Sequence, residues 1–499
     1  MVNPRLIRLI KSLSQTEKAY FQKQSMAFRG EQQPAYLMLY RALVKLEASP
    51  EAIREQFSKG RSAAYFPTLC QYLYEQLLDS LHCYHQQNSK RRKAEQQFQH
   101  AQLLIERSLY EDGLAKLQQV QKACAKLQYL TLWLEALQLE NHTIGLHFMS
   151  DGAQRKAAIN TQSERLIRLL EQERFYFALY DRLYTHSKTE QSLRQPNEMK
   201  DLEIQMSHPW VADQSIPQTL RAKQLFNGIH YTFHTLKGDY ELAYSYSDHN
   251  LRLWEEHPFI RQERFKDFMA SYLNHINRCY QLRKTTQLRE LLDGIGQLRP
   301  PTSEYADLLK IRKCLYEISF IELTQDYQHF PEVEAAAQAL LRSSSLSLSE
   351  RRLLLYNMTY QCFVQETFER ALEYSVAFQQ LPSSEGQAYL QRSSQLLNLL
   401  IHFELGNGQL LENTCSAHYT RFKRAGQLHK FEALFLRMIR KLAALIGQFR
   451  PNYDYEYYLR AFRELNTDPY ERRAFEYLDI IRWLQAKQQG CPMLEVKNP

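Results

Sequence analysis

"LKGDYELAYSYSDHNLRLWEEHP" runs from Leu236 to Pro258, and its reading decides the fold. Lys237-Gly238-Asp239 offers a tight turn, Tyr240 follows as an aromatic wedge, and Ala243 and Tyr246 come next at three-residue steps. A helical hairpin requires that order: a turn, a ring packed on the preceding helix, and a small side chain where the two helices cross closely. The phrase recurs. "ETFERALEYSVAFQQLP" (366–382) carries Phe368, Ala371, Tyr374, Phe378 and a closing Pro382. "SLYEDGLAKLQQVQKA" (108–123) supplies Tyr110, Gly113, Leu117 and Val120. Tyr110, Tyr240 and Phe368 return at nearly equal intervals, with room for about three degenerate hairpins between the clear copies.

Helix signals surround these copies. Asn3-Pro4 pairs an N-cap with proline at the first helical position, and Ser14-Gln-Thr-Glu17 forms a capping box ahead of "KAYFQK". Ser49-Pro50-Glu51 repeats the cap-proline-acid start, and Leu69, Leu73, Leu77 and Leu81 recur every fourth residue. No period-two run of useful length suggests a strand. Gly (15) and Pro (16) are scarce for 499 residues, which disfavours turn-rich β architectures. The fold class is therefore all-α. Brief polar loops are expected at 296–304, 342–350 and 381–386. The long stretch 187–218, with three prolines, reads as an interruption that holds a short helix around Met199–Gln205. Gly294-Ile-Gly296 and Gly406-Asn-Gly408 read as helix-ending turns.

On these residues the chain resembles tetratricopeptide repeats, whose second helix begins Gly-Asp-Tyr-x-x-Ala. The copy at 351–382 also matches in its first helix, at Leu355, Met358, Thr359, Cys362 and Phe363. At 224–258 the first helix departs: Asn227, His230, Tyr231 and His234 stand where large apolar, leucine, small and aromatic residues are usual. The whole chain is also similar to a family of uncharacterised bacterial helical proteins, common in Bacteroidetes. "SLSQTEKAYF" (12–21), "YLYEQLLDSLHCYH" (72–85), "FELGNGQLLE" (403–412) and "YLDIIRWLQAK" (477–487) carry that likeness. The resemblance implies an irregular right-handed solenoid of helical hairpins over 89–499, preceded by a basic helical module at 1–88. It implies no activity.

Composition limits the function classes. Eight scattered cysteines contain no CxxC pair, so free, mostly buried thiols and a cytoplasmic setting are expected. The N-terminal stretch has no apolar run of signal-peptide length, and nothing approaches the ~18 apolar residues of a membrane span. The net charge is +8, and residues 1–100 carry nearly all of it: fifteen Lys/Arg stand against eight Asp/Glu there, and 48 against 47 in the remainder. Phosphate loops of the GxxxxGK[ST] type, GxSxG elbows and GxGxxG turns after strands are missing from the sequence. No enzyme and no cofactor is expected.

The histidine pairs His230/His234 and His82/His85 share helix faces but lack the further ligands a zinc site requires, so no metal is expected. First helices of tetratricopeptide hairpins face a concave groove, so the resemblance makes Asn227, His230, Tyr231 and His234 the candidate groove residues. Ordinary packing is the competing reading for them. A second candidate is the basic patch Lys90-Arg91-Arg92-Lys93. If Asn88 or Ser89 caps a helix there, four cations sit at the end where the helix dipole disfavours them. Arg421, Lys423 and Arg424, in contrast, precede Gly426 and suit the last turn of a helix. Tyr453, Tyr455, Tyr457 and Tyr458 are too closely spaced to face one core.

The leading expectation is a non-catalytic scaffold that binds a protein or peptide in the concave groove. The alternative is a nucleic-acid-binding or regulatory protein acting through the basic N-terminal module, where residues 49–80 have a helix-turn-helix order.

Overall fold

The computed structural model describes residues 3–27, 34–45, 50–86, 89–147, 150–188, 196–342, 346–382, 388–446, 453–468, 471 and 473–496. Of these residues 84% are helical and none forms a strand. The helices begin with α1 (Pro4–Ser12), α2 (Gln15–Ala27), α3 (Ala35–Lys45), α4 (Pro50–Ser58) and α5 (Tyr65–Gln86). Next come α6 (Lys90–Glu106), α7 (Tyr110–Leu127), α8 (Leu130–Leu146), α9 (Gly152–Lys188), α10 (Pro196–Met206) and α11 (Pro209–Ala212). α12 (Leu220–Lys237), α13 (Tyr240–Glu256), α14 (Pro258–Glu263), α15 (Phe265–Gln281) and α16 (Thr285–Gln297) follow. Then come α17 (Ser303–Thr324), α18 (Phe330–Arg342), α19 (Leu348–Val364), α20 (Phe368–Gln379) and α21 (Ala388–Glu404). The last are α22 (Gly408–Arg424), α23 (Lys430–Ala443), α24 (Tyr455–Asn466), α25 (Arg473–Tyr477) and α26 (Ile480–Gln489).

The caps hold where sequence places them. Asn3 Oδ1 accepts the Arg5 N–H at 3.0 Å. Glu17 accepts the Ser14 N–H at 2.8 Å while the Ser14 hydroxyl accepts the Glu17 N–H at 3.3 Å. Ser49 lies outside the described residues, and α4 starts at Pro50. The expected short helix near 199–205 is α10, and Gly406 ends α21. Gly294 and Gly296, by contrast, lie within the last turn of α16 instead of ending it. Gly294 is needed there because a Cβ would come 2.5 Å from the Tyr272 hydroxyl.

One turn geometry repeats along the chain. A left-handed residue ends the first helix, and the next N–H returns to the carbonyl five residues back, closing the helix on its own chain. It occurs at Ser108 (φ 61°), Gly238 (φ 82°), Arg283 (φ 53°), Glu366 (φ 58°) and Gly406 (φ 75°). The closing bonds run from Leu109 to Leu104 (2.9 Å), Asp239 to His234 (2.8 Å), Lys284 to Cys279 (2.9 Å), Thr367 to Cys362 (3.0 Å) and Asn407 to His402 (3.0 Å). A new helix then starts at once, at Tyr110, Tyr240, Thr285, Phe368 and Gly408. The small seam residues sit inside: Ala243 and Ala371 are fully buried, and a Cβ on Gly113 would lie 2.6 Å from Ile105 Cγ1.

The chain divides into two compact units. One comprises Met1–Arg182, Met206–His230 and Asp248–Ser271; the other comprises Leu183–Gln205, Tyr231–Ser247 and Tyr272–Pro499. In the first unit α5 is the helix on which α1, α2, α3 and α4 pack. Leu6, Phe21, Leu37, Tyr40, Phe66 and Leu73 form their shared core. α6, α7 and α8 pack in succession around Ala101, Leu117, Cys124 and Ala136. In the second unit neighbouring helices from α16 to α24 pack on one another in sequence. α17 also meets α19, α19 meets α21, and α21 meets α23. Each fully buried leucine or phenylalanine in these cores contributes roughly 1.5–3 kcal/mol. All eight cysteines are free and six of them are buried. No described helix is long and apolar enough to cross a membrane.

Candidate functional site

The four residues singled out on α12 are engaged by their own chain. In the first unit Asn227 is buried, with its amide donating a long 3.5 Å hydrogen bond to Asn250. His230 Nε2 lies 2.9 Å from the Val211 carbonyl, so it carries the donated proton, and its ring packs 4.5 Å from Phe226. In the second unit the Tyr231 hydroxyl points to the Asn274 carbonyl at 3.5 Å and the Arg278 guanidinium covers its ring. Burial raises the pKa of that hydroxyl, with Arg278 opposing the rise. His234 stacks on Tyr246 and meets Asp239 at 3.5 Å. The unusual polarity of α12 therefore has internal partners.

The basic patch occupies the first turn of α6, behind the Ser89 cap; Asn88 lies outside the described residues. Its electrostatic puzzle has a local answer. Glu263, at the end of α14, accepts the Lys90 N–H at 2.8 Å and the Ser89 hydroxyl at 3.2 Å. A carboxylate thus sits where the helix dipole favours negative charge. Arg91 pairs with Glu95 at 3.0 Å. Lys90 and Lys126 both reach the exposed ring of Phe259, at 4.4 and 5.0 Å from its centre. Lys93 points to solvent.

A third place, not marked by the sequence, has open volume. In the second unit α16, α17 and α18 enclose a groove of about 890 Å³. Its floor is apolar: Cys314, Phe320 and Ile321 from α17, with Val333 and Leu340 from α18. Ala336 and Ala339 form a low wall and are exposed. Arg289 reaches in from α16, fixed by Glu317 through two hydrogen bonds of 2.8 and 2.9 Å and by Asp293 at 2.6 Å. It also lies over the Phe320 ring, 5.3 Å from its centre. The Glu317 hydrogen bonds lead the rise of the Arg289 pKa above its ordinary value. Burial pushes the Cys314 thiol up to about 12, so it stays protonated and unreactive.

The origin of the groove lies in α18. That helix turns Phe330, Glu334 and Ala337 inward, and Glu334 is held by the Tyr374 hydroxyl at 2.7 Å and Arg370 at 2.8 Å. Val333, Ala336 and Leu340 form a second apolar stripe on another face. A helix with two apolar stripes needs two partners; the chain covers one fully and the other in part, with Val333 and Leu340 half-buried against the core and Ala336 exposed. The doubled stripe in "FPEVEAAAQALLR" was the available sequence signal.

The same unit contains a half-buried acid. Burial lifts the Glu322 carboxyl to about 7; Asp479 adds to the rise, and Arg482 and Gln361 oppose it. Asp479 caps α26 by accepting the Arg482 N–H at 3.0 Å, and burial raises its pKa as well.

Compared with protein-family models, curated proteins and solved structures, the chain matches none.

Proposed function

We propose that this protein is a non-catalytic scaffold that holds a segment of a partner protein in a groove of a TPR-like, right-handed solenoid of helical hairpins. The observation that carries this reading is the second stripe of α18, which the chain covers only in part: Val333 and Leu340 are half-buried and Ala336 is exposed. The stripe faces about 890 Å³ of open groove with an apolar floor, within the usual size range of ligand sites. Packed helices supply a rigid wall, and the repeated hairpin turns supply the register that positions it. Free, mostly buried thiols suit a cytoplasmic setting. The alternative, nucleic-acid binding through the basic N-terminal region, has less support, because Glu263 and Glu95 already answer part of the charge on the Lys90–Lys93 patch.

The test is affinity capture from the native host with wild type and with Ala336→Glu, a substitution on an exposed position of the groove wall. One or more proteins retained by wild type and lost by the folded variant are expected. Identical recoveries, or recovery of nucleic acid alone, would count against the groove.

A further inference from the structure

We infer that the groove takes an amphipathic α-helix of about four turns, acidic at one end and basic at the other, running parallel to α17. This rests on the scaffold reading above and adds the chemistry of the partner.

Backbone chemistry selects the helix. The groove walls are helices whose backbone groups already bond within their own turns, so no free edge awaits a strand. An extended peptide lying there would bury N–H and C=O groups without partners, at a cost of roughly 1–3 kcal/mol for each. A helix satisfies its own backbone and presents only side chains. The wall also fits. Ala336 and Ala339 keep α18 low, so a third helix can approach to the ~8–10 Å axis separation of packed helices. The lining face of α17 runs from Asp307 to Ile321, roughly 21 Å at 1.5 Å per residue, which matches about four turns.

Charge sets the direction. Near the start of α17, Lys310 and Lys313 outnumber Asp307, which pairs with Lys310 at 3.2 Å. Past the other end of that face stand Asp326 and Glu332, with His329 bound to Asp326 at 3.1 Å. No lysine or arginine is among the described lining residues at that end. Arg289, between the two, is more than balanced by Glu317 and Asp293, and Asp293 also feels the charge of Lys313. A ligand helix acidic in its first turn and basic in its last, as its own dipole prefers, meets complementary charge when its N-terminus lies beside Lys310 and Lys313.

The experiment uses three fluorescein-labelled 14-residue peptides with the full-length protein, read by fluorescence anisotropy. The first has a leucine stripe at i, i+4, i+7 and i+11, with Glu in its first turn and Lys in its last. The second keeps that stripe and composition but interleaves the charges. The third has the composition of the first with two central prolines, which prevent a helix. The first should bind about tenfold tighter than the second, and the third should not bind. Ala336→Glu should remove binding, and the double variant Lys310→Glu/Lys313→Glu should erase the preference of the first peptide over the second. Circular dichroism must show both variants folded; Ala336→Ser serves as the mild substitute if the glutamate variant is not. Equal binding of the first two peptides, abolished by the wall variant, would overturn the charge assignment and leave the groove standing. Binding of the proline peptide alone would overturn the helix. Binding of none would overturn both the inference and the groove reading.

Discussion

α12 and α18 are both helices with residues out of keeping with simple packing, and they resolve in opposite ways. On α12 the oddity is polarity: Asn227, His230, Tyr231 and His234 interrupt an apolar pattern, and each is met by a carbonyl, a carboxylate, an amide or a ring of the same chain. On α18 the oddity is excess apolarity: Phe330, Glu334 and Ala337 pack inward, and Val333, Ala336 and Leu340 remain on a second face. A polar anomaly on a buried face must be satisfied internally or it destabilises the fold. A surplus apolar stripe can wait for a partner at modest cost, since apolar surface is common on folded proteins. The polar residues of α12 thus have internal partners, and the proposed groove rests on the doubled stripe of α18 instead.

The sharpest way to break this contrast is to enlarge small residues on packed and open surfaces. Ala371→Leu and Ala243→Leu fill seams with no free space and should each cost roughly 1–3 kcal/mol in urea unfolding. Ala336→Leu, on the groove wall, should stay within about 0.5 kcal/mol. A similar loss at all three positions would mean that the groove wall is packed.

A smaller effect is expected on α12. His230→Ala leaves the Val211 carbonyl without its donor and should cost about 1–2 kcal/mol of stability. Binding of the helical peptide should be unchanged. A stable variant with lost binding would restore α12 as the groove surface.

The left-handed turns can also be sharpened. Glu366 holds φ 58°, a conformation that L side chains adopt only with strain, so Glu366→Gly should raise stability by up to ~1 kcal/mol. A destabilised variant would show that the side chain of Glu366 matters more than its backbone strain.

The pH response of the second unit has a defined sign. Glu322 binds its proton more tightly folded than unfolded, since its carboxyl sits at about 7. Stability should therefore fall as pH rises from the ordinary carboxylate range through about 7, and then level off. Asp479, raised for the same reason, adds to the lower part of that window. Arg482 opposes the rise at Glu322, and Tyr327 and Tyr360 stay protonated throughout. Melting temperatures of Glu322→Gln should fall less between pH 5.5 and pH 8 than those of wild type. Parallel curves would remove Glu322 from the explanation.

The smallest effect is expected at the α6 patch. Replacing Lys90, Arg91, Arg92 and Lys93 by Gln should alter only weak duplex-DNA binding that is already lost by ~0.2 M salt. Tight, sequence-selective binding at that salt would favour the nucleic-acid alternative.

Much of the fold was legible because its signals are local. Caps such as Asn3 and Ser14 act within one helical turn, and the Gly238-Asp239-Tyr240 turn announces its geometry by residue type. The same turn at Ser108, Arg283 and Glu366 was less legible, since serine, arginine and glutamate have no preference for positive φ and adopt it because the packed hairpin requires it. The Glu263 cap on α6 joins residues far apart in sequence, so the first-turn cations looked unexplained. The groove was hidden for a related reason. Periodicity in α18 shows that apolar residues are present, and only tertiary packing decides which stripe is covered.

The partly covered stripe of α18 can be interrogated most directly by photo-crosslinking in the native host. A benzophenone amino acid replaces Ala336 in one strain and the exposed Glu412 of α22 in another. A discrete adduct with one partner protein from position 336, absent from position 412, is the predicted result. No adduct at 336, or the same adducts from both positions, would contradict the groove as the binding surface.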